Sequence, residues 1–398
     1  MTRRLALVMI AMLAMQTLAG AQGPRRRGHA PRNATVVSRI ADSTRSVLTR
    51  ALADGAFPGA IAVVGNRAGI VASYGVGQLD AADPTRPTIT TMYDLASLTK
   101  IIATTSLMLQ LVDAGRVALD TPAVRYLPDW RGPRAAEITV RQLLTHSSGL
   151  AAWRAFYKEA TDKADARAQL MLVGPDAPPG TRFLYSDMNF MLLGMIAVRL
   201  TGMPLDSAFQ VLVAKPLKLV DTRFLPDPSL RVRIAPTEYD PWRQRQLRGE
   251  VHDENASRFG GVSGHAGLFS TATDLSRVAR MWMNGGTLDG VRVASAATVA
   301  QFTRAQDTLI SKRALGWETP NGTNSAGHRL SPRAFGHTGF TGTSIWIDPS
   351  RDVFVILLTN RVNPTRENKK IGGVRVALAD AVAGALDGTG SRAGSATP

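Results

Sequence analysis

The sequence predicts a mixed α+β fold in which an antiparallel sheet, built from both ends of the chain, is covered by helices. One strand pair is expected near the N-terminus, at residues 60–65 and 69–75, joined by the turn Asn66-Arg67. A second pair is expected near the C-terminus, at residues 344–348 and 353–360. Apolar runs at helical spacing lie between these pairs, so we expect an all-helical region inserted between the two halves of the sheet.

Several helices are predicted outside the strand pairs. Apolar side chains recur at helical spacing in residues 34–53, and we expect further helices at residues 190–200 and 371–386. Thr139 is a suitable N-cap for a further short helix, and Gly149 is a suitable stop for it.

These elements predict one domain at residues 34–386. Its sheet-forming part is expected at residues 34–95 and about 265–386, and its helical part at about 96–264. Residues 22–33 are rich in Pro, Gly and Arg and predict a flexible basic leader, and residues 387–398 predict a disordered tail.

The N-terminus reads as an export signal. Basic residues at positions 3 and 4 precede an apolar stretch that ends in Ala19-Gly20-Ala21, so we expect a signal peptide cleaved after Ala21. The stretch is shorter than the roughly 20 apolar residues that span a bilayer, and no other segment is apolar enough to do so. The expected location is the periplasm or the extracellular medium.

Composition excludes several classes of function. The chain has no cysteine, so it has no disulfides, no thiolate metal site and no cysteine nucleophile. The net charge of +16 comes mostly from scattered arginines without a nucleic-acid recognition motif, which argues against nucleic acid as a partner. The same charge is compatible with weak association with anionic envelope polymers.

Ser97 and Lys100 are the strongest candidates for catalysis. Their three-residue spacing at the start of an apolar helical run places both on one helix face. Burial disfavours a lysine ammonium, so a buried Lys100 could accept the proton of a neighbouring serine, and Ser97 near a helix N-terminus could then act as a nucleophile. Taken alone, the pair is better explained by an N-cap and a surface lysine, because this spacing also arises by chance in chains of this size.

Two further segments contribute polar side chains. Tyr185 and Asp187 alternate before an apolar helix, so both could face one cleft, although Ser186 or Asp187 could simply cap that helix. His146 follows another helix, and we expect it to hydrogen-bond loop backbone rather than act in catalysis. His337-Thr338-Gly339 precedes the C-terminal strand pair.

Together these motifs resemble the serine β-lactamase and penicillin-binding-protein superfamily, and within it the class C β-lactamase-like branch of esterases and D,D-peptidases. The motifs that carry the resemblance are Ser97-Leu98-Thr99-Lys100, Tyr185-Ser186-Asp187 and His337-Thr338-Gly339, with support from residues 143–150 and 264–275. Residues 251–256, 264–267 and 358–366 are similar to exported serine hydrolases of cell-wall turnover, described as D,D-carboxypeptidases or muropeptide amidases.

The resemblance implies a β-lactamase/transpeptidase-like α/β sandwich and an acyl-enzyme mechanism. Ser97 would attack a carbonyl, with Lys100 as base and Tyr185 as the relay to the leaving group; which of the two accepts the proton first stays open. The backbone N–H groups of Ser97 and Phe340 would form the oxyanion hole. Asp187, His337, Thr338 and Gly339 would contact substrate, Gly339 because a side chain there would block the strand.

Two residues depart from the superfamily pattern. Asp187 replaces the usual asparagine and lacks its amide donor, and a carboxylate beside Lys100 would favour the ammonium unless it is neutral or turned away. His337 replaces the usual lysine, and we expect its charge to titrate near neutral pH. Both changes argue against efficient β-lactam hydrolysis.

The expected activity is therefore hydrolysis of a peptide, amide or ester bond in a small-molecule or peptidoglycan-derived substrate, without a cofactor. The alternatives are a small-ester esterase, a weak β-lactamase, and a penicillin-binding or sensor protein that acylates without turnover. His252, Asp253 and His265 could be read as a metal site, but we expect local hydrogen bonding instead.

Overall fold

The computed structural model describes residues 30–306 and 309–388. The predicted signal peptide at residues 1–21 lies outside the described residues, as do residues 22–29 of the predicted leader and the predicted tail after Gly388. The first helix spans Ala30–Ala53. It therefore begins four residues before the predicted start and includes the last part of the predicted leader.

The secondary-structure elements are numbered in chain order. The described strands are β1 (Gly59–Gly65), β2 (Ile70–Gly77), β3 (Tyr93–Asp94), β4 (Arg223–Phe224), β5 (Tyr239–Asp240), β6 (Arg245–Gln246), β7 (Leu268–Ser270), β8 (Thr287–Leu288), β9 (Val291–Arg292), β10 (Phe335–Thr338), β11 (Ser344–Asp348) and β12 (Val353–Thr359). The described α-helices are α1 (Ala30–Ala53), α2 (Ser106–Asp113), α3 (Val140–Leu144), α4 (Phe156–Glu159), α5 (Lys163–Leu170), α6 (Asp187–Thr201), α7 (Leu205–Phe209), α8 (Glu254–Arg258), α9 (Ala272–Met283), α10 (Ala296–Thr303) and α11 (Ile371–Leu386).

The predicted sheet is present and joins the two ends of the chain. Five antiparallel strands lie in the order β10-β11-β12-β1-β2. The N-terminal and C-terminal strand pairs meet where β1 lies beside β12, with Val63 opposite Ile356. The predicted α+β class and sandwich architecture are confirmed.

Helices cover both faces of the sheet. Since successive strand residues point to opposite faces, each strand contributes side chains to both layers. Ala62 and Val64 pack with residues of α1 and α11 on one side. Ile61 and Val63 belong to the larger core on the other side, which also contains residues of α2, α6 and α9. β1 and β12 are buried on both faces, which explains why they are continuous apolar runs.

The inserted region differs from the prediction in two details. It is not all-helical, because residues 96–264 include the short strands β4, β5 and β6. The predicted cap of α3 is present, since Thr139 and Gln142 form a reciprocal capping box. The helix ends at Leu144, well before Gly149, and His146 adopts a left-handed backbone with φ of 57°.

Among the described helices no single one is long and apolar enough to cross a membrane. The bent pair formed by residues 187–201 and 205–214 has the length and composition of a span, but these two properties alone support it.

Candidate active site

Ser97 lies in a tight turn between β3 and the helical segment that leads to α2. The preceding residue, Ala96, has a left-handed backbone with φ of 47°, which costs a non-glycine residue roughly 1 kcal/mol. Buried Asp94 supports this turn, because its carboxylate accepts from the N–H of Ala96 at 2.8 Å and from the N–H of His252 at 2.6 Å. The turn leaves Ser97 partly exposed between buried neighbours. Asp94 is thus a positioning residue that sequence reasoning did not single out.

Lys100 begins a π-helical segment, Lys100–Thr105, and is fully buried. Helical side chains lean toward the N-terminus, which brings its amine back to Ser97. Its Nζ donates to Ser97 Oγ at 2.9 Å and to the carbonyl of His265 at 3.1 Å, and it lies 2.7 Å from Asp187 Oδ1. These three oxygen atoms match the three N–H groups of an ammonium.

Asp187 is the first residue of α6 and turns toward Lys100. Helix capping does not explain the Tyr185-Ser186-Asp187 motif, because neither Ser186 nor Asp187 caps α6 through its side chain in the described structure. Tyr185 lies beside the same cluster: the Lys100 ammonium is 5.1 Å from its ring centre, and its phenol is close enough to Lys100 and Ser97 for both to offset part of the rise in its pKa that burial causes. The structure therefore brings the predicted Ser97, Lys100, Tyr185 and Asp187 together.

Asp187 is not turned away from Lys100, so the carboxylate favours the protonated form of the lysine. Burial lowers the pKa of Lys100, but the negative charge of Asp187, with a smaller contribution from Tyr185, more than offsets this and raises the pKa above its ordinary value. Burial raises the pKa of the Tyr185 phenol. The resting site consequently holds a lysine ammonium and a neutral tyrosine, and a proton must leave this cluster before either group can act as a base.

The second predicted oxyanion donor lies in the turn after the edge strand β10. This turn contacts the segment that leads to Ser97: Thr341 Oγ1 donates to the carbonyl of Asp94 at 2.7 Å, and Thr343 Oγ1 to that of Leu95 at 3.0 Å. Among the described residues, the backbone N–H groups of Ser97 and Phe340 donate to no protein acceptor. Both donors are thus available to a substrate oxygen.

The structure corrects the expectation for His337 and gives Gly339 a packing role. His337 is buried, and burial together with the charges of Arg313 and Lys100 holds its pKa well below the usual range, so its charge does not titrate near neutral pH. Its Nδ1 donates to the carbonyl of Thr338 at 2.8 Å. A Cβ on Gly339 would lie 2.4 Å from the carbonyl oxygen of Leu95, so packing against this segment by itself requires glycine. Thr338, partly exposed, ends β10 opposite Ser344.

Arg313 is a site residue that sequence reasoning missed. Its guanidinium carbon lies 5.7 Å from the ring centre of Tyr185, and its charge contributes to the low pKa of both His146 and His337. The side chain is buried, and its ion pair with Glu318 is long at 3.4 Å. Arg313 follows no recognisable local pattern, so only the tertiary fold reveals its place.

His146 has the structural role that we expected. Its Nδ1 accepts from the backbone N–H of Ser186 at 3.0 Å, and its ring centre lies 4.5 Å from that of Tyr185. Burial, followed by the charge of Arg313, holds the pKa of His146 well below the usual range. The neutral ring therefore positions the Tyr185 segment.

The histidines considered as metal ligands separate into two pairs. His252 Nε2 lies 2.7 Å from Glu238, and its ring stacks on that of Phe340. His265 Nε2 lies 2.9 Å from Asp253 Oδ1. Ligand atoms of Asp187, Asp253 and His265 lie within 4.8 Å of one another and could offer three ligands to a cation. The Lys100 ammonium already occupies a place beside Asp187, and its charge opposes a divalent ion there.

Chemically, the arrangement combines a partly exposed hydroxyl, an ammonium that donates to it, a phenol beside both, and free backbone donors. This combination suits acyl transfer through a serine ester, in which the hydroxyl attacks a carbonyl and the backbone donors bind the developing oxyanion.

The sequence profile of the Beta-lactamase family matches residues 44–379 of this chain. A protein of Salmonella schwarzengrund (strain CVM19633), named "Putative D-alanyl-D-alanine carboxypeptidase", is 33% identical over 325 residues, which cover 73% of this chain and 74% of that protein.

Two solved structures share the fold. EstCE1, described as "a hydrolase with promiscuous acyltransferase activity", superposes with a TM-score of 0.71 at 20% identity, over 87% of this chain and 99% of that one. A penicillin-binding protein homolog from Caulobacter crescentus gives a TM-score of 0.70 at 22% identity, over 87% of this chain and 97% of that one. At this level of identity the two comparisons support the architecture alone.

Proposed function

We propose that this chain, which belongs to the Beta-lactamase family, is a serine acyl hydrolase that removes the terminal residue of cell-wall peptides as a D,D-carboxypeptidase. The observation that carries the proposal is the 2.9 Å hydrogen bond between Lys100 Nζ and Ser97 Oγ, with Tyr185 beside both. The name of the Salmonella relative supports the substrate class.

In the proposed reaction Ser97 Oγ attacks the carbonyl of the penultimate residue. Once the cluster has released one proton to solvent, the Ser97 proton passes into the Lys100–Tyr185 pair and then to the amine nitrogen of the leaving residue, and a Ser97 ester remains. The N–H groups of Ser97 and Phe340 stabilise the oxyanion, and losing one such donor typically costs about 3 kcal/mol in the transition state. Water then hydrolyses the ester and regenerates the hydroxyl.

Arg313 supports a substrate with a free carboxylate. Because His337 is neutral, the strand beside the cleft lacks the positive charge that a lysine would supply. The guanidinium of Arg313, near Tyr185, is a permanent cation on the same side. We propose that it pairs with the terminal carboxylate of the peptide.

A mixed muropeptide digest and an ester panel, read by mass spectrometry, test the proposal. We expect the purified protein to release terminal D-alanine and Ser97→Ala to release none. Arg313→Gln should raise KM for carboxylate-bearing peptides by about 10- to 100-fold, the value of a charged hydrogen bond, while Arg304→Gln, an exposed control, should not. Cleavage of only an internal amide bond, or of only simple esters, would contradict carboxypeptidase activity.

Hydrolysis of small esters is the second candidate. It is favoured by the partial exposure of Ser97 together with the neutral His337, because esters need no partner for a carboxylate. Ester turnover that is lost in Ser97→Ala and retained in Arg313→Gln would support it.

The proposed substrate lies outside the cytoplasm, so we also propose export through the signal peptide at residues 1–21. N-terminal sequencing of the protein from an envelope fraction should begin at Gln22. An N-terminus at Met1 or Thr2 would contradict export by cleavage.

A further inference from the structure

A groove separate from the Ser97 cleft runs along α6, between α5 and residues 259–264. It encloses about 600 Å³, enough for a medium-length alkyl chain. Its apolar lining includes Met191, Met195, Val198, Met203, Phe259 and Val262. Methionines are flexible and adapt to irregular apolar ligands.

Cations surround this apolar lining. Lys163 and Arg167 lie one turn apart on α5, both exposed, and Arg199 lies near the end of α6. Within the described residues, Lys163 and Arg167 form no ion pair. Arg199 makes only a 4.0 Å contact with Asp129. Asp206 is the single acidic side chain among the described lining residues, so the rim is positively charged.

We propose that the groove binds a single-chain anionic amphiphile of the fatty-acid type. The alkyl chain would lie on the methionine-rich lining, where its apolar surface is removed from water. The carboxylate would pair with Lys163 and Arg167, which are free to meet it. A ligand with both an alkyl chain and an anionic head group would match the apolar lining and the cationic rim together.

One short segment contacts both the groove and the catalytic cluster. Ser263 and Gly264 line the groove, while the carbonyl of the next residue, His265, accepts from Lys100. The carbonyl of Gly264 accepts from Thr104 at 2.7 Å, which fixes this segment to the helix that carries Lys100. Binding in the groove therefore needs no acylation of Ser97, and the proposal stands independently of the proposed hydrolase function.

Isothermal titration calorimetry on the full chain tests the proposal with dodecanoate and dodecyltrimethylammonium, both below their critical micelle concentrations. We expect saturable 1:1 binding of dodecanoate, at least 10-fold tighter than that of the cation, and unchanged in Ser97→Ala. Arg167→Glu and, separately, Met195→Glu should each weaken dodecanoate binding at least 10-fold. Arg125→Glu, which changes an exposed arginine elsewhere, should leave it unchanged.

Thermal unfolding of each variant confirms that a loss of binding does not come from a loss of fold. The proposal is overturned if dodecanoate does not bind the folded wild type, if both amphiphiles bind equally, or if the folded Arg167→Glu and Met195→Glu variants bind as the wild type does. Competition by an active-site acylating agent, or loss of binding in Ser97→Ala, would also overturn it, because the ligand would then occupy the Ser97 cleft.

Discussion

The Lys100 ammonium nitrogen lies 2.7 Å from a carboxylate oxygen of Asp187, although the two residues belong to different helical segments. This ion pair is mostly buried, with 18% of the Asp187 side chain exposed and none of Lys100. Asp187 thereby offsets the burial of Lys100 and keeps it charged. The ion pair therefore determines which groups of the cluster are protonated before a substrate binds.

Replacing Asp187 by asparagine should shift the pH dependence of the reaction. Without the carboxylate, burial dominates and the Lys100 pKa falls, so a neutral amine becomes available at lower pH. We expect the ascending limb of kcat/KM for an ester or peptide substrate to move down by about 1–3 pH units, the usual effect of one close charge. Asp352→Asn, at an exposed surface position, is the control. An unmoved limb, or one displaced to higher pH, would disprove the role given to Asp187.

The same position should limit β-lactam hydrolysis. Asp187 offers no amide donor to a β-lactam side-chain carbonyl, so we expect slow nitrocefin turnover by the wild type. Asp187→Asn should raise the rate about 10-fold, the value of one hydrogen bond of about 1.4 kcal/mol. Absorbance assays on both proteins measure the ratio. Rapid nitrocefin hydrolysis by the wild type would refute this interpretation.

Two buried neutral histidines should make the fold sensitive to acid. The pKa values of His146 and His337 are held well below about 6.5, the value expected in the unfolded chain. The unfolded state therefore binds more protons below pH 6.5, and the free energy of unfolding falls as pH decreases. Each histidine should contribute a loss on the order of 2 kcal/mol between pH 7 and pH 5.

Denaturant unfolding of His337→Gln at both pH values measures this contribution. The variant should lose about 2 kcal/mol less than the wild type over that interval. His328→Gln, whose side chain is 66% exposed, should lose as much as the wild type. Equal losses in the wild type and His337→Gln would show that His337 is not held neutral by the fold.

Gly339 should resist substitution because of packing. A Cβ would lie 2.2 Å from Thr343 Oγ1 and 2.4 Å from the carbonyl oxygen of Leu95, so Gly339→Ala should displace the turn that carries the Phe340 N–H. We expect a loss of about 1–3 kcal/mol in the free energy of unfolding, together with reduced kcat. Gly372→Ala has open space in α11 and should be neutral or slightly stabilising. Equal stability of the two variants would exclude the packing explanation.

Much of the fold was predictable because it rests on local pattern. β1 and β12 are continuous apolar runs that are buried on both faces, and they join the two ends of the sheet. The cap at Thr139 was also readable, since it needs only Gln142 three residues later. The end of α3 was not, because His146 takes the left-handed turn that the sequence suggested for Gly149.

The site was predictable in its members but not in its charges. The spacing of Ser97 and Lys100 fixes their contact, whereas the ion pair of Lys100 with Asp187 depends on how α6 meets the Lys100 segment. Arg313 enters from a loop without a motif, and its charge, with burial, changes the expected titration of His337. Electrostatics that arise from tertiary packing cannot be read from residue spacing.

The most direct test of the account is intact-protein mass spectrometry after reaction with a fluorophosphonate probe, followed by peptide mapping. We predict one adduct per chain, located on Ser97, with labelling reduced at least ~10³-fold in Ser97→Ala and unaffected in the exposed control Ser73→Ala. An adduct on another residue, or equal labelling of wild type and Ser97→Ala, would contradict the assignment of Ser97 as the nucleophile.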